Sequence, residues 1–79
     1  MIKKSDTSAA ISKISMQFRP EPYHRLMCAI VCTAIHDLSR KDARILAIDY
    51  IENDLIHAEL CGVNSDWVRR VLREMRLID

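Results

Sequence analysis

Glycine and proline are scarce in this chain of 79 residues, which contains one glycine and two prolines. A fold made of many short strands needs such residues in its hairpin turns, so an all-β protein is excluded. The apolar fraction of 49% is enough for a core, and the length allows one small domain. These features predict an all-α fold, a small bundle of about four helices.

An excess of basic charge is also missing, since the formal net charge is +1. Composition by itself therefore gives no support to a nucleic-acid partner. The charges are nevertheless unevenly distributed, because residues 45–60 contain acidic residues and no lysine or arginine. Four arginines follow near the end: Arg69, Arg70, Arg73 and Arg76. This layout can present one basic face, or the arginines can simply be the solvated side of a helix.

Long apolar runs and a recognisable leader are absent too. The longest apolar run, residues 26–35, is well short of the roughly 20 residues that span a bilayer. Lys3 and Lys4 are followed by polar residues rather than by an apolar segment. The three cysteines are an odd number in helical context, which is typical of reduced thiols. We therefore expect a cytoplasmic protein without a membrane segment.

Pro20 and Pro22 mark the clearest boundary, because two prolines in three residues exclude a continuous helix. Residues 1–19 are predicted to be a flexible N-terminal arm, since a short isolated helix is weak in water. Residues 20–79 are predicted to form a single helical domain.

Four helices are expected within that domain, over residues 22–38, 40–52, 55–61 and 65–76. The first is apolar nearly all round, which is typical of a central or oligomer-buried helix, so we expect a homodimer. Ser39 resembles a capping residue for the second helix. The third should end at Gly62, because glycine favours the left-handed conformation after a helix. Asn64 or Ser65 should cap the fourth helix.

The two C-terminal helices carry the main functional pattern. Ala58 is small where a second helix would cross closely, Gly62 permits a tight turn, and Val63 and Val68 are suited to a shared core. This segment resembles the helix-turn-helix family of bacterial and phage regulators over about twenty residues. It also resembles the C-terminal part of small uncharacterised phage and prophage proteins, which implies a mobile-element origin.

The resemblance implies a small DNA-binding regulator of transcription. The residues that would contact nucleic acid lie on the last helix and at its start: Asn64, Ser65, Arg69, Arg70 and Arg73. Lys3, Lys4 and Lys13 could add phosphate contacts from the arm.

The chain departs from the family pattern at three positions, one of which is Asp66, a negative charge at the place where the helix would meet phosphate. His57 and Cys61 stand where the family has apolar residues, and Ile56 and Leu60 carry the apolar bulk one position earlier. The alternative is that the C-terminal hairpin is purely structural. The chain would then be a protein-interaction module that binds and modulates another protein.

Metal binding and catalysis are the remaining classes. A workable tetrahedral site would pair one dyad of ligands spaced four residues apart from each of two helices, such as Cys28 and Cys32 with His57 and Cys61. Knuckles of the C-x2-C type are absent, so no metal and no cofactor are expected. Cys61 and His57 could also be imagined as a nucleophilic pair. Because the chain has no Gly-rich loop and little room for a substrate cavity, we do not expect an enzyme.

Overall fold

Helix is the only regular secondary structure in residues 2–79, which are the part of the chain that the computed structural model describes. Five helices follow one another: α1 (Lys4–Ser15), α2 (Pro22–Asp37), α3 (Arg44–Asn53), α4 (Ile56–Leu60) and α5 (Ser65–Glu74). The all-α prediction is confirmed, with five helices instead of about four. Helix α2 packs against α1, α3 and α4, and α5 packs against α1 and α4.

The additional helix is α1, which occupies the segment predicted to be a flexible arm. Thr7, Ala10 and Ile14 lie three or four residues apart, so they share one face of α1, and all three are fully buried. Most residues of this segment are polar, but its one apolar face packs against α2 and α5. Tertiary contacts supply the stability that an isolated helix of this length lacks.

The start of α3 differs from the prediction. Ser39 donates its hydroxyl to the His36 carbonyl at 2.8 Å, so it closes the end of α2 instead of capping the next helix. Residues 41–43 form turns, and α3 begins at Arg44 without a side-chain cap. Side-chain bonding to a nearby carbonyl competes with capping, and here the carbonyl at the end of α2 is the partner.

The ends of α4 and α5 share one hydrogen-bond pattern. After α4, the Gly62 N–H bonds to the Glu59 carbonyl and the Val63 N–H to the Ala58 carbonyl, with Gly62 at φ +75°. This confirms the left-handed glycine predicted to end the helix. After α5, the equivalent left-handed residue is Arg76, at φ +61°. The turn at Arg76 directs Leu77 and Ile78 back into the core, where both are buried.

The left-handed conformation of Arg76 leads to a stability prediction. An L-residue with a Cβ is strained there, whereas glycine is not. We expect Arg76→Gly to raise the free energy of unfolding by about 0.5–1 kcal/mol, as measured by urea denaturation. Arg70→Gly, the same substitution in the interior of α5, should lower it by about 1 kcal/mol. Destabilisation by both variants would contradict the strain at Arg76.

Candidate functional site

The C-terminal helix pair has the local geometry expected of its sequence. Helix α5 is capped by Asn64, whose side-chain oxygen accepts the Trp67 N–H at 2.9 Å, which confirms the predicted cap. Val68, Val71 and Leu72 are buried, as the apolar spacing predicted. Helix α4 spans five residues and follows a left-handed Leu55 at φ +51°. A tight turn around Gly62 therefore joins α4 and α5.

The apolar side chains of α4 lie differently from the expected register. Ile56 and Leu60 are more than half exposed, at 53% and 55%. Ala58 is fully buried, and His57 and Cys61 are half-buried beside it. Of the positions that the helix-turn-helix pattern makes apolar, Ala58 is buried here, whereas His57 and Cys61 are only partly buried.

Four of the five residues predicted to contact DNA make hydrogen bonds within the fold. Asn64 is the cap already described. Ser65 is buried and donates its hydroxyl to Glu59 Oε1 at 2.6 Å. Both side chains thus make hydrogen bonds within the fold at the start of α5, and Asn64 is exposed.

Arg69 is the most deeply engaged of the predicted arginines, with 16% of its side chain exposed. Its Nε donates to the Ile51 carbonyl at 2.7 Å, and its Nη1 lies 3.1 Å from Asp66 Oδ1. The carbonyl of Ile51 lies in the last turn of α3, where carbonyls have no partner within the helix. Arg69 therefore caps the end of α3 from α5, rather than facing outward.

Arg73 makes a second link between the same helices. Its Nη2 bonds to Glu52 Oε1, and its Nε donates to the Asp79 carbonyl at 3.0 Å. About 45% of the side chain stays exposed. Arg70 is exposed and has no carboxylate within 4.0 Å among residues 2–79. Of the three predicted arginines, only Arg70 is therefore without a competing ion pair in the described part of the chain.

The lysines of the predicted arm lie on or beside α1. Lys3 is the N-cap residue, and its backbone N–H donates to Asp6 Oδ2 at 3.2 Å. Lys4 and Lys13 are exposed. All three are on the element that packs against α2 and α5, so any phosphate contact from them would be fixed relative to the helical core.

An apolar groove between α2 and α3 was not predicted from sequence. It has a volume of about 250 Å³. Its wall on α2 is Ile30, Thr33, Ala34 and Asp37, and its wall on α3 is Ala43, Leu46, Ala47 and Tyr50. The sequence signal for it was the helix that is apolar nearly all round, because such a helix has more apolar surface than a small bundle covers.

Large apolar side chains extend this groove into solvent. Leu46 is 76% exposed and the adjacent Ile45 is 81% exposed. On α2, Tyr23 and Leu26 are more than half exposed and lie at helical spacing from Ile30, hence on the same face. We define the α2–α3 face as the groove together with Leu26, Ile45 and Tyr23. Clustered exposed side chains of this size are typical of binding surfaces.

The thiol and imidazole groups do not assemble into a metal site. Cys28 Sγ and Cys32 Sγ are 3.7 Å apart on α2. Burial raises the pKa of Cys32 to about 12, and the nearby Cys28 adds to this rise, so the thiolate needed for metal binding or nucleophilic attack is disfavoured. His57 Nδ1 is bonded to the Tyr50 hydroxyl at 2.6 Å. Within residues 2–79, no three His, Cys, Asp or Glu side chains are arranged to hold a metal ion.

Comparisons of this chain with protein families, with curated proteins and with solved structures find no match. In the part of the chain that the structure describes, no helix has both the length and the apolar character needed to cross a membrane. The surfaces of this molecule are therefore the features that bear on its function.

Proposed function

We propose that this chain is a protein-interaction module and that the α2–α3 face is its docking surface. The observation that carries the proposal is Leu46, which is 76% exposed at the rim of an apolar groove. Exposing such a side chain beside other apolar groups is unfavourable unless a partner covers it. The groove is smaller than the roughly 300–1,000 Å³ of small-molecule sites, and it is open enough to take side chains of a second protein.

Charge indicates the chemistry of the partner. Asp37 lines the groove, and no lysine or arginine does. Asp49 is exposed and lies three residues after Leu46 and four after Ile45, so it flanks both on α3. Asp42, in the turn before α3, is also exposed and has only a 3.6 Å contact with Arg40. We infer that the partner presents an amphipathic helix whose apolar stripe is flanked by lysine or arginine.

A pair of synthetic peptides tests this proposal. One is an amphipathic helix of leucine and lysine, and the other has glutamate in place of every lysine. We expect the Leu/Lys peptide to bind and the Leu/Glu peptide to bind at least tenfold more weakly, because the flanking carboxylates repel it. Leu46→Asp should weaken binding of the Leu/Lys peptide at least tenfold, since it removes an apolar anchor. Fluorescence anisotropy of labelled peptide measures both effects.

Met16→Asp is the matched control, because Met16 is 81% exposed on the surface and does not line the groove. It should leave peptide binding unchanged. Equal weakening by Met16→Asp and Leu46→Asp would show general adhesion and contradict the proposal. Light scattering on the same samples tests a homodimer. A dimer of wild-type chain that Leu46→Asp dissociates would identify a second copy as the occupant, instead of a basic helix.

DNA binding by the C-terminal helix pair is the second candidate function. It is favoured by the burial of Ala58, by the left-handed turn at Gly62, and by the guanidinium of Arg70, which has no ion pair in the described part of the chain. Against it stand the net charge of +1 and the internal contacts of Arg69 and Arg73. In this alternative the chain is a small regulator that uses Arg70 and Arg73 on phosphates or bases.

Salt dependence separates the two candidates. Binding of a mixed duplex pool should weaken steeply between about 50 and 200 mM salt if several arginines contact phosphate. Binding of the Leu/Lys peptide through the α2–α3 face should weaken much less over the same range, because salt screens only the flanking charge pairs and leaves the apolar contacts intact. Absence of duplex binding at either salt concentration would exclude the DNA-binding candidate.

A further inference from the structure

A second pocket lies where the turn between α2 and α3 meets the C-terminal turn, and it shares no lining residue with the groove. It has a volume of about 500 Å³, and its lining residues are Ile2, Leu38, Ser39, Lys41, Arg44 and Arg76. This volume falls within the range of about 300–1,000 Å³ typical of small-molecule sites. Three of the six lining residues are cationic and none is acidic. The pocket is thus basic, whereas the groove between α2 and α3 is lined by Asp37 and by no lysine or arginine.

The three cations have no counter-ion within the described residues. No carboxylate lies within 4.0 Å of Lys41, Arg44 or Arg76 in residues 2–79. Arg44 is half-buried and is held in place, because its Nη1 donates to the Leu38 carbonyl at 2.9 Å. Collecting three positive charges at one pocket is unfavourable, and a bound anion would offset their mutual repulsion.

Arg76 occupies a backbone position where glycine would be less strained. Its φ of +61° is left-handed, and the turn it makes is the same hydrogen-bond pattern that Gly62 makes after α4. The chain therefore keeps a cationic side chain at the pocket in spite of the strain. Strained positions that persist in this way are often found at functional sites.

Of the other three lining residues, Ile2 and Leu38 are apolar, and the Ser39 hydroxyl is bonded to the His36 carbonyl. Leu38 is buried beneath the pocket, with 1% of its surface exposed, and Ile2 is half-buried at the pocket's edge. Hydrated inorganic ions gain no free energy from contact with apolar side chains, whereas a short hydrocarbon body does. We infer that this pocket binds a small organic anion, in which a phosphate or carboxylate group contacts Lys41, Arg44 and Arg76 and an apolar body packs against Ile2.

Titrations followed by amide NMR shifts test the inference, with hexyl phosphate as the probe. The expected result is a saturable shift of the Leu38, Ser39 and Lys41 amides. Hexanoate distinguishes a carboxylate ligand from a phosphate ligand. Inorganic phosphate has the anionic group without the hydrocarbon body, and 1-hexanol has the hydrocarbon body without the anionic group. Each should bind at least tenfold more weakly than hexyl phosphate.

Arg76→Gly and Lys41→Glu are the test variants, and Arg70→Ala is the control cation outside the pocket. Each test variant should weaken hexyl phosphate binding about tenfold or more, as expected for loss of one charged hydrogen bond. Arg76→Gly is informative because the fold should tolerate it. The inference would be overturned if hexyl phosphate caused no shifts at the pocket. It would also be overturned if 1-hexanol or inorganic phosphate bound as tightly as hexyl phosphate, or if Arg76→Gly bound hexyl phosphate as tightly as wild type.

Discussion

Replacing Ile14 by alanine is expected to lower the free energy of unfolding by about 2–5 kcal/mol. Ile14 is fully buried, as is Ala10 one turn earlier, and both belong to the apolar core. Removing most of the side chain loses transfer free energy and leaves a cavity between α1 and its neighbours. Small domains have about 5–15 kcal/mol of stability, so this single change should remove a large fraction of it.

The measurement is urea denaturation followed by circular dichroism and by the fluorescence of Trp67. Met16→Ala is the control, because Met16 follows α1 directly and is 81% exposed. It should change the free energy of unfolding by less than about 0.5 kcal/mol. If Ile14→Ala behaves like the control, residues 4–15 do not contribute to the core, and the expectation of a flexible arm is correct after all.

Replacing Arg69 by alanine is expected to lower the free energy of unfolding by about 1.5–3 kcal/mol. The substitution leaves the Ile51 carbonyl at the end of α3 without its donor. It also removes the contact that ties α5 to α3, together with the bond to Asp66. An uncompensated polar group at a half-buried position costs more than the average hydrogen bond contributes.

Arg70→Ala is the matched control, since it removes the same side chain from the next position of α5. Arg70 is exposed and has no carboxylate within 4.0 Å among residues 2–79, so the expected change is within about 0.5 kcal/mol. Equal stability of the two variants would show that Arg69 is not a cap.

The comparison of the two variants also matters for any DNA-binding assay. A loss of binding in Arg69→Ala must be read against its stability, whereas a loss in Arg70→Ala can be assigned to contact with DNA.

The groove and the basic pocket show what sequence patterns miss. Leu46 lies at helical spacing from Ala43, Ala47 and Tyr50 in the sequence, so the four share one face, and they line the groove together. The 76% exposure of Leu46 could not be predicted, because a helical pattern gives the face of a residue and not the distance to the next helix. Lys41, Arg44 and Arg76 are up to 35 positions apart in the chain, so only the packing brings them to one pocket.

Local chemistry alone determined much of this protein. The scarcity of glycine and proline excluded a β fold, Gly62 fixed the turn before α5, and the side chain of Asn64 fixed the start of α5. Each of these features depends on interactions among residues close in sequence. Tertiary structure decided the packing of α1 and the role of Arg69. These depend on partners distant in sequence, such as the Ile51 carbonyl eighteen residues before Arg69, and helical periodicity carries no information about such partners.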